Sequence, residues 1–160
     1  EAESIVMSGM GGNLMMEILK KGRDVTDRAE ELILQPQSEV GGLRHYLQDN
    51  GFVIISEAMV YEDSKYYPMM KAVHGEMNWE REIFFQYGKI LLRIEDPVLH
   101  RFLIQERDYY VNLYNDLCCQ DPTERVTERI KDVERSLALN NEALEIMDAP
   151  NAFSLERTLK

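Results

Sequence analysis

An apolar run that ends in a glycine cluster and passes directly into a helical pattern most constrains the fold of this chain. Ile5–Met7 shows no alternation of apolar and polar residues, which is typical of a strand covered on both faces. Gly9, Gly11 and Gly12 then allow a sharp turn and a close approach of the backbone to a neighbouring group. Apolar residues at helical spacing follow at Leu14, Met15, Ile18 and Leu19. Ligands of open α/β sheets bind at such strand-to-helix junctions, so the run predicts either a ligand site or a tight turn without a ligand.

A second junction of the same kind follows further along the chain. Glu31–Leu34 is predicted to form another buried strand. Pro36 has no backbone N–H and therefore ends this strand, and the side-chain amides of Gln35 and Gln37 flank it. Two amides beside a proline can recognise the edge of a purine or of another amide, although a plain connecting loop is the alternative. Two consecutive strands that each end in an unusual loop favour a binding site.

The next segment predicts an antiparallel pair of strands. A helix is predicted to begin at Ser38 or Glu39 and to end at Asn50. Phe52–Tyr61 is a long run typical of a strand, and Tyr66–Val73 is predicted to return beside it after a polar turn. The chain therefore predicts an α/β fold in which a parallel sheet ends in an antiparallel hairpin.

Together these segments resemble the TrmK family of bacterial tRNA methyltransferases. The resemblance runs from the first residues to about Ala72 and includes the later Phe84–Leu91 string. Its motifs are Ser8-Gly9-Met10-Gly11-Gly12, Leu32-Ile33-Leu34-Gln35-Pro36, Leu43-Arg44 with Leu47, Gly51-Phe52, Glu57 and Lys65-Tyr66-Tyr67. The resemblance implies transfer of a methyl group from S-adenosyl-methionine to N1 of adenine 22 of a tRNA.

The resemblance also implies a role for each motif residue. The implied cofactor-binding residues are Gly9, Met10, Gly11 and Gly12. The implied catalytic residues are Gln35, Pro36, Gln37 and Glu57, and the implied substrate-binding residues are Arg44, Lys65 and Tyr67. For Glu57, a strand residue paired with Lys65 or Arg44 is the alternative. The chain departs from the family pattern at Gln37, where Asn is usual, and at Pro68, where Glu is usual.

The fold that the resemblance implies is the back half of a class I (Rossmann-like) methyltransferase sheet, followed by an antiparallel, coiled-coil-like helical hairpin. Residues 1–75 would form the carboxyl-terminal part of the catalytic domain, and residues 76–160 the helical hairpin domain. The glycine-rich loop and the acidic residue by which class I enzymes hold most of their cofactor do not occur in this sequence. We therefore expect the chain to be the carboxyl-terminal portion of a larger enzyme and to be inactive alone.

Long helical patterns occupy the rest of the chain. Pro97–Cys119 carries apolar residues three and four positions apart, and Asp121–Glu124 predicts a helix start with Asp121 as its cap. The following helix has an apolar stripe from Val126 to Met147 that includes Asn140. A short loop between two such helices predicts an antiparallel hairpin. This hairpin is either a structural arm, through which the protein could form a homodimer, or a clamp for tRNA.

Charge and composition limit the partners. The net charge of −11 argues against broad affinity for nucleic acids, because phosphate contacts need Lys and Arg. It keeps two alternatives open, namely a class I methyltransferase with another substrate and a non-catalytic interaction module. The adjacent Cys118 and Cys119 are typical of free thiols, so a reducing cytoplasm is expected. No apolar run reaches membrane-spanning length, and His45, His74 and His100 have no partner at metal-binding spacing, so neither a membrane nor a metal is expected.

Overall fold

The computed structural model describes residues 3–149, which fall into two compact units. The first unit extends to Asp96 and the second begins at Pro97. The first unit contains, in chain order, β1 (Ser4–Met10), α1 (Gly12–Lys21), α2 (Arg23–Thr26), β2 (Glu31–Pro36), α3 (Val40–Asp49), β3 (Phe52–Glu62), β4 (Lys65–His74), α4 (Glu82–Tyr87) and α5 (Lys89–Arg93). Helices α4 and α5 contact α3 and β3, so residues 76–96 lie with the sheet, although the sequence analysis assigned them to the helical region.

The four strands form one mixed sheet in the order β1-β2-β4-β3. Strands β1 and β2 are parallel, whereas β4 runs antiparallel to both β2 and β3. Asp63 and Ser64 form the two-residue turn between β3 and β4 with φ of 47° and 61°, the left-handed conformations that suit the twist of a tight hairpin. The prediction of an α/β fold that ends in an antiparallel strand pair is therefore confirmed.

The apolar core lies between one face of the sheet and helices α1 and α3. It includes Leu32 and Leu34 of β2 and Leu43 and Leu47 of α3, all with 0% exposure. The other sheet face is open among residues 3–149. The large apolar side chains exposed there are Val6, Ile33, Ile55 and Val60. Coverage of the first two strands on both faces, as predicted, is not found among residues 3–149, because both helices pack on the same face and alternate strand residues point away from them.

The β3–β4 hairpin extends past the ends of β1 and β2. The last pair between β2 and β4 is Leu34 with Met70, so Lys65–Met69 pairs with β3 alone. Because β2 runs toward this end of β4, the free part of the hairpin projects beyond the carboxyl edge of the parallel strands. We call residues 58–69 the projecting arm.

The second unit consists of two long helices, α6 (Pro97–Cys118) and α7 (Glu124–Asp148), which pack against each other. Asn140 of α7 donates from Nδ2 to the backbone oxygen of Leu103 of α6 at 2.9 Å. The side chain of Thr123 accepts a hydrogen bond from the N–H of Val126, so Thr123 caps α7 and the predicted cap at Asp121 is wrong. Within residues 3–149, no helix has the length and apolar character that crossing a membrane requires.

Candidate functional site

The loops that follow β1 and β2 contact each other at the carboxyl edge of the sheet. The N–H of Gly12 donates to the backbone oxygen of Ser38 at 2.8 Å, and the N–H of Gln37 donates to the backbone oxygen of Met10 at 2.9 Å. A third hydrogen bond runs from the N–H of Gly9 to Oε1 of Gln35 at 3.0 Å. We call residues 9–12 and 35–39 the paired loops, since these bonds hold them together as one surface.

Two of the glycines in the cluster lie close to the second loop, and the contact requires glycine at Gly12. A Cβ atom on Gly12 would lie 2.7 Å from the backbone oxygen of Glu39 and 2.8 Å from that of Ser38. A Cβ atom on Gly11 would lie 2.7 Å from Oγ of Ser38, and the φ of Gly11 is −69°, which any residue adopts. Gly9 differs, because its φ of 75° is left-handed and it lies at the irregularity of β1 between Ser8 and Met10.

Gly9 also leaves open space at the sheet edge. No atom would lie within 4 Å of a Cβ atom placed on it, and the residue is exposed. The backbone of β1 is therefore accessible at the point where the strand ends, which is the geometry that a planar ligand needs for close approach.

The two glutamines beside Pro36 have different environments. Oε1 of Gln35 accepts the N–H of Gly9, so this side chain stabilises the irregular end of β1. Pro36 is buried, whereas Gln37 is exposed and only its backbone N–H has a hydrogen bond within the paired loops. The structure therefore presents the amide of Gln37 to solvent at this edge.

Arg44 of α3 and Glu57 of β3 form a buried ion pair. Their side chains are 1% and 0% exposed, and Nη2 of Arg44 lies 2.8 Å from Oε1 of Glu57. Nη1 of Arg44 donates to the backbone oxygens of Phe85 and Gln86 at 2.8 and 3.1 Å. The second carboxylate oxygen accepts the N–H of Ile90 at 3.0 Å. For Glu57, the contacts favour the pairing with Arg44 over a role at the reacting atoms. Because the Arg44 side chain is buried, it is not available for direct contact with a substrate.

Sequence reasoning missed the contribution of the turn between α4 and α5. Gly88 has a φ of 93°, and a Cβ atom there would lie 2.5 Å from Oε1 of Glu57. Glycine is thus required both by the backbone conformation and by the ion pair beneath it. The Phe84-x-x-Tyr87-Gly88 string in the sequence was the available signal, because a glycine directly after a short helical pattern predicts a positive φ.

Lys65 and Tyr67 lie on the projecting arm. Lys65 is exposed beside the two-residue turn, and Tyr67 is partly buried opposite Val60. The rings of Tyr61 and Tyr66, which also pair across the arm, have centroids 4.7 Å apart. The arm therefore brings one cation and several tyrosines beyond the same sheet edge that carries the paired loops.

No cluster of three or more His, Cys, Asp or Glu side chains that could hold a metal ion occurs within residues 3–149. His45 stacks on Phe85 with a centroid separation of 3.6 Å, and its Nε2 lies 3.0 Å from Oε2 of Glu82.

The loss of stability caused by a methyl group at Gly12 should exceed that at Gly11. Gly12→Ala places Cβ against two backbone oxygens, which move only with the chain, and overpacking of this kind costs about 1–3 kcal/mol. Gly11→Ala meets a serine hydroxyl that can rotate away, so we expect less than about 1 kcal/mol. Urea unfolding of both variants measures the difference, and Ser38→Ala in the Gly11→Ala background should remove the smaller loss. Equal losses at the two glycines would contradict the contact described here.

A mixed sheet with helices on one face among residues 3–149 and paired loops at its carboxyl edge defines an open-sheet α/β protein. The family model described as tRNA (adenine(22)-N(1))-methyltransferase, TrmK, matches residues 1–142, and the chain belongs to this family.

Relatives support the same assignment. The chain is 26% identical over 150 residues to the tRNA (adenine(22)-N(1))-methyltransferase of Bacillus subtilis. The matched region covers 91% of this chain and 63% of the relative. The crystal structure of the B. subtilis m1A22 tRNA methyltransferase TrmK has a TM-score of 0.79 at 25% identity, over 89% of this chain and 63% of that one. A Streptococcus pneumoniae protein solved in complex with S-adenosyl-L-methionine has a TM-score of 0.76 at 26% identity, over 89% and 60% of the two chains. The chain thus spans less than two thirds of the length of these relatives.

Proposed function

We propose that the protein transfers the methyl group of S-adenosyl-methionine to N1 of adenine 22 of a tRNA. Membership of the TrmK family carries the proposal, because the B. subtilis relative bears the name of this activity. The paired loops support it, since they place an exposed amide and an accessible strand end at the sheet edge where Rossmann-like proteins bind ligands.

The reaction needs positioning more than acid or base groups. N1 of adenine carries an in-plane lone pair that attacks the methyl carbon as the bond from carbon to sulfur breaks. Sulfur keeps the electron pair of that bond, so the sulfonium becomes a neutral thioether and the positive charge passes to the adenine ring. Alignment of the two reactants can contribute roughly 7–11 kcal/mol to such a step. N1 of a paired adenine is inaccessible, so the base must be unpaired or flipped out of its stack.

Gln37 is the side chain that we propose for holding the base. Its exposed amide oxygen can accept a hydrogen bond from the exocyclic amine next to N1. The backbone oxygen of Met10 already accepts the N–H of Gln37 but keeps a second lone pair for the same amine. Gln35 and Pro36 stabilise the conformation of the loop. Gln35 accepts the N–H of Gly9, and Pro36 is buried.

Residues 9–12 fit the methyl donor through their backbone. The open space at Gly9 admits a planar group against the end of β1, and S-adenosyl-methionine supplies the activated methyl group when bound. Lys65 and Tyr67 would contact the tRNA beyond the sheet edge, since a cation and an aromatic ring on the projecting arm suit phosphate and base stacking.

For the second unit we propose a coiled-coil-like hairpin that contacts tRNA away from the reacting base, in a protein that acts in the cytoplasm. Arg125 and Arg129 are exposed near the start of α7. Homodimerisation through the same helices is the second candidate role, because α6 also exposes Tyr109 at 59% and Val111 at 43%.

Methyl transfer to defined tRNA transcripts tests the proposed function. The protein encoded by the natural gene is incubated with labelled S-adenosyl-methionine and either an adenine-22 transcript or its guanine-22 counterpart. We expect label only in the first, recovered as 1-methyladenosine. Absence of label in both transcripts would contradict methyl transfer to tRNA, and equal label in both would contradict the choice of position 22.

Reversing charge on α7 separates its two candidate roles. Arg125→Glu with Arg129→Glu should raise the Michaelis constant for tRNA at least about tenfold. The salt dependence of this constant should also fall, because binding releases fewer counterions from the tRNA when fewer phosphates are contacted. Arg23→Glu with Arg28→Glu on and beside α2 is the matched control, since it changes the net charge equally. An unchanged Michaelis constant together with an altered oligomeric state would instead make the hairpin an assembly element.

A further inference from the structure

The buried ion pair connects two segments that border the proposed site. Arg44 lies on α3, the helix that continues from the paired loops, and Glu57 lies on β3 where the projecting arm begins. We propose that Arg44 and Glu57 are positioning residues for methyl transfer, which fix loop 35–39 relative to the projecting arm. This inference rests on the proposed function.

The start of α3 has little intrinsic stability. Glu39 precedes the helix in a left-handed conformation with a φ of 53°, and no side chain caps the first turn. Gly41 and Gly42 then occupy that turn, although glycine is among the poorest helix formers. The position of loop 35–39 therefore depends on its hydrogen bonds to residues 9–12 and on tertiary contacts of α3, rather than on helix propensity.

Arg44 supplies such contacts from the following turn of α3. Its Nη1 donates to the backbone oxygens of Phe85 and Gln86 at the end of α4, where helix carbonyls lack partners within the helix. Gly41 allows this close packing, because a Cβ atom on it would lie 3.2 Å from Oε1 of Gln86 and 3.4 Å from the oxygen of Phe85. Arg44 thus caps α4 and holds α3 against it.

Glu57 completes the connection on the other side of the turn. Its Oε2 accepts the N–H of Ile90 in the first turn of α5, and its Oε1 accepts Nε of Arg44 at 2.9 Å. In the strand register Glu57 also lies opposite Met70, the residue of β4 nearest the projecting arm that still pairs with β2. The carboxylate therefore lies at the base of the projecting arm and links it to α5 and α3.

Loss of this connection should affect the chemical step more than binding. The amide of Gln37 has to hold adenine N1 in line with the methyl group, and a displacement of about 1 Å can reduce the rate up to about a hundredfold. The open strand end at Gly9 belongs to β1, which the ion pair does not contact. We therefore expect a fall in kcat with little change in cofactor affinity.

Two variants of the protein encoded by the natural gene test the inference. Arg44→Met with Glu57→Leu replaces both charges by apolar side chains, a change that buried ion pairs often tolerate. Glu57→Gln keeps the shape but removes the charge, and its one amide oxygen can accept from either Arg44 or Ile90 but not from both. We expect kcat to fall about tenfold to a hundredfold in each, while the dissociation constant of S-adenosyl-homocysteine changes less than about threefold.

Glu31→Gln is the control for ion-pair removal in the same sheet. Glu31 forms an ion pair with Lys71 at the start of β2, away from the paired loops. The hydrogen bond from Lys71 is the main reason why the pKa of the Glu31 carboxyl group is lowered. This variant should retain the kcat of the unchanged protein.

The outcomes separate the inference from the proposed function. An unchanged protein that transfers no methyl group contradicts the proposed function itself. An active unchanged protein whose Glu57→Gln variant is folded and has the same kcat overturns the positioning role, and the ion pair then serves stability alone. If Glu57→Gln does not fold, the double variant decides the question, since an unchanged kcat in that variant likewise overturns the positioning role.

Discussion

Gly88→Ala is expected to lower the free energy of unfolding by about 3–5 kcal/mol, a large part of the stability of an ordinary domain. Two independent costs add at this position. The φ of 93° and ψ of 116° are unfavourable for alanine, and the new Cβ atom would lie 2.5 Å from the Glu57 carboxylate and 2.8 Å from Nη2 of Arg44. Because both charged groups are buried and paired, neither can move away without losing its partner. Urea unfolding followed by circular dichroism measures the loss.

Gly51→Ala is the matched control that measures the cost of the backbone conformation alone. Gly51 has a similar φ of 79°, but nothing lies within 4 Å of the position of its Cβ atom. It should therefore lose only about 1–2 kcal/mol, the cost of the left-handed conformation. Equal losses for Gly51→Ala and Gly88→Ala would contradict the close packing of Gly88 on the ion pair.

Removal of one member of the ion pair should destabilise the protein more than removal of both. Arg44→Met leaves the Glu57 carboxylate buried without a counter-charge, and such single removals typically cost about 3–5 kcal/mol. The double variant with Glu57→Leu removes the unpaired charge as well. We expect it to recover most of the loss, since apolar pairs of similar volume are often as stable as the ion pairs they replace.

The comparison is made by urea unfolding of the two single variants and the double variant, which together form a double-mutant cycle. The cycle should show a coupling of at least about 2 kcal/mol between Arg44 and Glu57, within the range for contacting residues. Additive losses would contradict the account, because they would mean that each side chain stabilises the protein through its backbone contacts alone.

The strands and the paired loops could be predicted because local chemistry determines them. The glycine cluster indicated a close backbone approach, and the structure shows that the group approached by Gly12 is the backbone of Ser38 and Glu39. The antiparallel hairpin followed from two long runs around a polar turn, and β3 and β4 form that pair. The hairpin depends on residues close in sequence, whereas the contact between the loops joins segments 26 positions apart and only the need for glycine there was local.

Long-range packing could not be predicted in the same way. The apolar runs of β1 and β2 gave no sign that α1 and α3 share one face, which leaves Val6 66% exposed. The contacts of Arg44 with Phe85 and Gln86 join residues about forty positions apart, and no periodicity in the sequence encodes them. The cap of α7 was missed for a more local reason, since Asp121, Thr123 and Pro122 are all acceptable near a helix start and only geometry selects Thr123.

We propose adenine N1 at position 22 as the atom that receives the methyl group. Transcripts that carry 1-deazaadenosine at this position lack the attacking lone pair but retain the exocyclic amine that Gln37 is proposed to hold. We expect the protein encoded by the natural gene to bind this tRNA with ordinary affinity and to transfer no methyl group to it. A tRNA with 7-deazaadenosine at the same position should be methylated at a normal rate. Methylation of the 1-deaza tRNA would contradict the account, because another atom would then be the acceptor.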